Sequence, residues 1–193
     1  MRSVLISIQP KWCELIASGK KTVEVRKTKP KLETPFKCYI YCTKVKFNPC
    51  EHLRNNLHYD DSTIKVCEGQ GKVIGEFVCD DVTKILNFIT HFGVEGRSEC
   101  ELNTIARCSC LDYMDMLEYL GTDKDGYAWH ISDLVIYDKP KELWEFAKPD
   151  KCPYNSPIGC TYGGHCYRAG QAKRCGDYVE RPPQSWCYVK GGE

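Results

Sequence analysis

Apolar positions gather in short runs from the start of the chain. Ser3 to Ile8 is a short, β-branched run that predicts a first strand. Pro10 then opens a helix at a position where its missing N–H does no harm. Trp12, Leu15 and Ile16 fall at i, i+3 and i+4 and give that helix an apolar face, and Gly19 supplies the left-handed stop. Beyond the stop, Lys20-Lys21 leads into a run in which Thr22, Glu24 and Arg26 share one face while Val23 and Val25 share the other. This pattern predicts a half-buried strand with a charged front. Thr28-Lys29-Pro30-Lys31 breaks it, and Cys38 to Thr43 forms a third strand.

The segment from Lys46 to Gly71 is polar and without a clear period, and reads as a long excursion. Lys72 to Cys79 is a fourth strand in which Gly75 marks a bulge. Ile85 to Phe92 reads as weakly helical. Tyr113, Met116, Leu117 and Leu120 fit i, i+3, i+4, i+7, with Ser109 or Asp112 to open that helix and Gly121 to end it. A turn at Asp123-Lys124-Asp125-Gly126 precedes an aromatic-rich strand, Tyr127 to Ile131, and Leu134 to Tyr137 is another strand. Lys139-Pro140 leads into a last helix with Leu143, Phe146 and Ala147 turned inward. After Pro149 the chain becomes rich in Cys, Gly and Tyr, and Trp186 to Val189 returns as a final strand closing the sheet. Several curved strands with few helices predict an α+β fold, a small β-barrel decorated by short helices.

Length and composition divide this picture into two parts. A chain of 193 residues suits one domain with a small appendage. The domain is placed at residues 1–147, enlarged at about 46–71 and 85–121, with a Cys-rich extension at 148–193 that returns to the barrel. No apolar run approaches the ~18 residues of a membrane span. Charge and proline follow the first residues too soon for a secretory signal, so a cytoplasmic protein without a membrane partner is expected. Among the 14 cysteines, Cys13, Cys38, Cys42 and Cys79 fall in predicted elements and read as small core residues. Charge is segregated: residues 1–48 carry a balance of +8, residues 49–150 one of −10, and the rest +3. A basic lobe suits a phosphate-bearing partner and an acidic middle discourages indiscriminate DNA coating, although any surface must carry charge somewhere.

The candidate chemistry begins at Gly19 to Arg26. An acid and bases on one strand face form either a site or a solvated strand pairing its own charges. Trp12 reads as core packing on its helix or as an aromatic face, and Trp129 stands among polar strand residues. No Ser-His-Asp ordering, Walker loop or Rossmann fingerprint is present. His52, His58, His91 and His130 are scattered and read as surface or satisfied histidines.

This order of parts resembles the ASCH domain of the PUA-like β-barrel superfamily. The residues that carry the likeness are Ile8-Gln9-Pro10-Lys11-Trp12, Ile16, Gly19 to Arg26, Gly71 to Phe77 and Tyr127 to Ile131. Pro182-Pro183-Gln184-Ser185-Trp186-Cys187-Tyr188-Val189 is similar to bacterial and prophage versions of the domain. The resemblance implies binding of RNA or a modified nucleoside or nucleotide in a cleft beside the barrel. Lys20, Lys21, Thr22 and Arg26 then meet phosphate or a base edge, Glu24 accepts from an exocyclic amine, and Trp12, Tyr127 or Trp129 offers a stacking face. One branch of the family resembles an enzyme, the small acetylcytidine amidohydrolases, with a lysine base and a threonine nucleophile. Lys21 matches that lysine, but Glu24 stands where the threonine is expected, so the mechanism does not transfer intact. The enzymatic alternative is a hydrolase of N-modified cytidine in which Lys21 and Glu24 are catalytic and Glu24 activates a water. A third reading is a protein-interaction module.

In the extension, Cys152, Cys160 and Cys166 follow a C-x7-C-x5-C spacing in a segment too poor in apolar residues to order itself by burial. It is similar to the CCCH zinc finger, except that Gly170 occupies the histidine position. Cys175 is the first substitute, with His165 as the alternative and Cys187 as a further one. Four thiolates imply a closed, structural zinc site. Such a finger implies either RNA contact through Tyr154, Tyr162 and Tyr167 or a knuckle that pins the C-terminus. Cys100, Cys108 and Cys110 are not assigned to a metal, because Cys108-Ser109-Cys110 is too tight for an ordinary zinc pair.

Overall fold

A computed structural model describes residues 2–44, 66, 68–88, 91–94, 99–121, 124–148 and 178–191. The first four elements are β1 (Arg2–Ile8), α1 (Pro10–Ala17), β2 (Val23–Arg26) and β3 (Phe36–Cys42). They are followed by β4 (Val73–Cys79), β5 (Val82–Phe88), β6 (His91–Val94), α2 (Glu99–Ser109) and α3 (Tyr113–Leu120). β7 (Gly126–His130), β8 (Ser132–Lys141), a 3-10 turn at Leu143–Glu145 and β9 (Trp186–Lys190) complete the described elements.

The strands form two mixed or antiparallel sheets. One has five strands in the order β8-β4-β3-β1-β9, and the other has four in the order β2-β7-β5-β6. β1 and β3 run parallel, joined across α1 and β2, and β9 returns antiparallel to β1 with Val189 opposite Ser3. Among the described residues the strands do not close into the expected single barrel. β7 passes to β8 through Ile131 alone, and the two strands then pair in different sheets. Between the sheets lies the main core. It is built from Val4, Ile6, Ile8, Cys38, Ile40 and Cys42 on one side and Trp129 on the other, with Cys13 and Ile16 of α1 added at its end. A fully buried aliphatic side chain of this kind contributes on the order of 1.5–3 kcal/mol. β1 is buried on both faces: Leu5 joins a second cluster with Tyr39, Val73, Phe146, Val179 and Val189, and Ser3 and Ser7 on the same face are also buried. A third cluster sets Val23, Val25, Ile85 and Ala128 of the smaller sheet against Ile105 of α2 and Met116 and Leu120 of α3.

Local signals explain most of these elements. Gly19 has φ +72° after α1, and Gly121 has φ +91° after α3. Asp112 caps α3: its carboxylate accepts from the Asp115 N–H, and the Asp115 side chain accepts from the Asp112 N–H. Gly75 lies where the register between β4 and β8 shifts, and a Cβ there would stand 2.4 Å from the Val135 carbonyl oxygen. Burial pushes the Cys13 and Cys38 thiols well up and that of Cys79 up to about 12, in keeping with apolar core residues.

Four expectations are corrected. α1 turns Pro10, Cys13 and Ile16 fully inward and leaves Trp12 and Leu15 half-buried at its flanks. The stretch from Ile85, read as helical, is the β5–β6 hairpin, because β5 pairs with β7 from Val82 to Ile85. Among the described residues no α-helix follows Pro140: β8 runs through it to Lys141 and only the 3-10 turn at Leu143–Glu145 comes after; β8 is a sheet edge, where a missing N–H is tolerated. The strand carrying Glu24 and Arg26 is buried along its whole length, not half-solvated. Most of the 46–71 excursion and the Cys-rich segment lie outside the described residues. Among the described residues no helix is long and apolar enough to cross a membrane.

Candidate functional site

The turn before β2 is held from three sides. The Lys21 N–H donates to the Leu15 carbonyl at the end of α1, and the Thr22 N–H donates to Cys108 O near the end of α2. The Thr22 carbonyl in turn accepts from Ile131, and the Cys110 thiol reaches Lys20 O at 3.5 Å. This anchorage turns the Lys21 side chain inward, onto the C-terminal end of α2, where Nζ donates to Ser109 O at 2.6 Å. A cation there meets the unsatisfied carbonyls and the negative end of the helix dipole.

Lys21, Glu24 and Arg26 are only 2%, 6% and 7% exposed. Glu24 lies between the two cations, with Lys21 Nζ 3.3 Å from Oε2 and Arg26 Nη2 3.0 Å from Oε1. Arg26 also donates to the Ser7 carbonyl at 2.6 Å and, more weakly, to Ser185 Oγ at 3.4 Å. Its charge is therefore neutralised by Glu24 while its hydrogen bonds tie β2 to β1 and to the segment before β9. Burial pushes the Tyr119 phenol up, and the neighbouring Arg26 charge pulls it partly back.

Above this triad opens a cleft of about 470 Å³, with Lys21 and Glu24 at its floor. Gln9, Lys11 and Trp12 form the α1 wall, Leu111, Asp115, Glu118 and Tyr119 form the α3 wall, and Lys27 stands where β2 leaves. The Trp12 indole carries cations on it: Lys11 Nζ lies 4.3 Å and Lys21 Nζ 5.1 Å from its ring centroid. Lys27 Nζ similarly lies 5.3 Å from the Tyr119 ring. The cleft thus offers two aromatic walls, three lysines and three carboxylates. That is the mixture of stacking faces and oriented donors and acceptors that suits a planar polar ligand.

The residues singled out from sequence separate here. Trp12, Lys21 and Glu24 line the cleft, and Arg26 stands behind Glu24 as its buried partner. Lys20 is exposed outside the lining, and Thr22 acts through its backbone. Trp129 is 0% exposed, in an edge contact with Phe36 and tilted against Trp186, so it is core and not the stacking face expected of it. Register explains this: Trp129 faces Glu24 across the β2–β7 pair, on the side turned toward the larger sheet. Tyr127, opposite Arg26, is half-buried against the same core with Lys29 Nζ 5.6 Å from its ring. Asp115, Glu118 and Tyr119 were not foreseen as site residues. They fall at i, i+3 and i+4 on the face of α3 beside Met116 and Leu120, with Tyr119 packed at the edge of the same cluster, and the helical period of that segment contained the signal.

His130 is bound to Asp80, with Nδ1 2.7 Å from Oδ1, and stands away from the cleft. Among the described residues no cluster of three His, Cys, Asp or Glu side chains is placed to hold a metal ion. Cys152, Cys160, His165, Cys166 and Cys175 lie outside the described residues. Cys187 sits in β9 against the second core cluster, where burial pushes its thiol up.

Residues 6–154 match the model of the ASCH domain. The chain belongs to the ASCH domain family. Solved ASCH structures from Zymomonas mobilis are similar to it. The ASCH protein itself is 18% identical over 73% of each chain, with a TM-score of 0.48. A serine-to-alanine variant of that protein is 16% identical over 97% of this chain and 88% of its own, with a TM-score of 0.53, which shows a shared fold. Among curated proteins no relative of this ASCH chain is found.

Proposed function

We infer that this ASCH chain binds RNA, or a nucleoside or nucleotide of RNA type, with one base against Trp12 in the cleft. The observation that supports this reading is Glu24, a buried acceptor held in one orientation by Lys21 and Arg26 in a cleft whose lining it shares with the Trp12 indole. A base stacked on Trp12 would present its edge to Glu24, and an exocyclic amine would meet an acceptor already oriented, without loss of side-chain freedom on binding. Asp115 and Glu118 make their part of the α3 wall unfavourable to phosphate, so the sugar-phosphate is assigned to the lysines, Lys11 on α1 and Lys27 over Tyr119. The basic balance of residues 1–48 supports the same orientation.

The test is titration of nucleosides, nucleotides and short RNAs into the wild type and Trp12→Ala, followed by calorimetry. Loss of a stacked base costs about 1–3 kcal/mol, or roughly 5–150-fold in affinity. Equal affinity of the two proteins for every ligand would remove the cleft from the binding site. Hydrolysis of an N-modified cytidine is less well supported. Two of the three Lys21 donors are taken by Glu24 and Ser109 O, and both Glu24 oxygens face a cation. Release of cytidine by the wild type but not by Lys21→Ala would restore that alternative. A zinc bound by Cys152, Cys160, Cys166 and Cys175 is a separate proposal, supported by their spacing in the sequence.

A further inference from the structure

The loop that leaves β2 divides the cleft already described from a second one. Lys27 lines the first cleft. Lys29, two residues on, lines a separate space of about 480 Å³ together with Leu32, Glu33, Asp81 and Val82. Between Lys27 and Leu32 the chain alternates. Thr28 Oγ1 accepts from the Trp186 indole N–H at 3.0 Å, Pro30 is buried, and Leu32 packs against the main core, so the even positions fasten the loop. Lys27, Lys29 and Lys31 are exposed at the odd positions. Proline at position 30 also holds Lys29 in an extended conformation. In extended chain, residues two apart are spaced about 6.5–7 Å on one side. The three lysines therefore stand at successive odd positions of a loop fastened through its even ones.

Each of the first two lysines stands by a tyrosine ring, Lys27 by Tyr119 and Lys29 by Tyr127, while the Lys31 N–H donates to the Tyr188 hydroxyl at 2.7 Å. The second cleft repeats the mixture of charge seen in the first: Lys29 shares its lining with two carboxylates, Glu33 and Asp81. Carboxylates suit base amines, and successive lysines suit the backbone that joins two bases.

We propose that the ligand is a single-stranded oligonucleotide that places adjacent nucleotides in the two clefts, with its backbone crossing the loop at Lys27 and Lys29. This rests on the reading of the first cleft as a nucleotide site. It adds that the second cleft is a further subsite and that a free nucleoside fills only half of the surface. A second nucleotide tethered to the first is held at high effective concentration, so binding tightens with ligand length without any change in the first cleft.

The experiment measures affinity for uridylate and adenylate ligands of one, two and four nucleotides, and their deoxy counterparts, with wild type, Lys29→Gln, Lys29→Arg and Trp12→Ala. The expected result is at least about tenfold tighter binding of two nucleotides than of one by the wild type. Lys29→Gln should remove that gain while leaving mononucleotide binding within about twofold, and Lys29→Arg should keep it. In Lys29→Gln one phosphate is no longer neutralised, so the slope of log affinity against log salt for the tetranucleotide should fall by about 0.7. Affinity independent of length, or an equal loss for one and two nucleotides in Lys29→Gln, would overturn this proposal and leave the first cleft standing. Tetranucleotide binding insensitive to Trp12→Ala would overturn the first-cleft reading and this proposal with it. A preference for ribose over deoxyribose ligands decides between RNA and single-stranded DNA as the source of the strand.

Discussion

Glu24→Gln replaces the central carboxylate with an amide of nearly the same shape. Its two partners are buried, Lys21 at 2% and Arg26 at 7% exposure, and both lose their neutralising charge. Lys21 keeps Ser109 O and Arg26 keeps Ser7 O, so neither cation is left without a hydrogen bond. The Gln amide satisfies only one of them, because its NH2 group must turn toward the other. Removing one member of a buried ionic group typically costs about 3–5 kcal/mol, and the retained carbonyl partners place the loss near the lower end. In a chain of this size about 3 kcal/mol lowers Tm by roughly 6–12 °C. The assay is urea denaturation with the midpoint and slope fitted separately, so that a loss of stability is distinguished from a changed unfolded state. The companion variant Lys21→Met, Glu24→Leu, Arg26→Met removes all three charges. Apolar replacement of a whole buried ionic group is often neutral or stabilising. Two carbonyls, of Ser109 and Ser7, lose donors at about 1–3 kcal/mol each, so this variant should fall about 2–6 kcal/mol below wild type, a loss set by those carbonyls and not by an unpaired charge. It should no longer bind nucleotides. A Glu24→Gln protein within about 1 kcal/mol of wild type would refute the argument, because it would mean that the triad is solvated as an ordinary surface pair is.

Acid should weaken the outer face of the larger sheet. Burial pushes the Glu76 carboxyl up, but hydrogen bonds from Lys37 at 2.8 Å and Tyr137 at 2.5 Å outweigh it and hold the group below its ordinary value of 4.5. A carboxyl depressed in the folded state stabilises above its unfolded value and loses that contribution as pH falls through the folded one. Stability measured by denaturant midpoint from pH 6 to 3 should therefore decline less steeply in Glu76→Gln than in wild type, and parallel curves would contradict the assignment. For the C-terminal extension, protein purified without chelator should carry one zinc per chain by elemental analysis. Cys160→Ser should lose it, and metal content clearly below one per chain would remove the proposed site.

Elements with strong local punctuation were legible in the sequence. Pro10 and Gly19 bracket α1, Asp112 and Gly121 bracket α3, and β1, β3 and β4 are strands as expected with ends moved by a residue or two. What failed was decided by partners far away in sequence. Ile85, Phe88, Ile89 and Phe92 fall at helical spacing, yet β5 is a strand because β7 pairs with it. Pro140 suggested the end of one element and the start of a helix, but it sits on an edge strand that needs no N–H there. α2 was not legible because its apolar positions are few, with Leu102, Ile105 and Ala106 the main ones that meet the core. Its packing against Val23 and Val25 supplies what its sequence does not.

The enclosure of the candidate site was hidden for the same reason as α2. Thr22, Glu24 and Arg26 alternate with valines, and such a pattern ordinarily marks a strand with one face in water. Here α2 and α3 cover the valine face and the larger sheet covers the other, so the charges are enclosed. Enclosure changes what they do. In water Lys21 and Glu24 would be a weak surface pair of mobile side chains; here Lys21 is fixed by a helix end 88 positions away, and Glu24 by Lys21 and by Arg26, which is itself tied to β1. A buried ionic group is weak evidence for stability, and this one adjoins the wall of the cleft that carries an indole. In the proposed reading the triad is therefore ligand-directed. Its desolvation is a cost borne by the folded protein, and its rigid acceptor spares the complex the cost of ordering it.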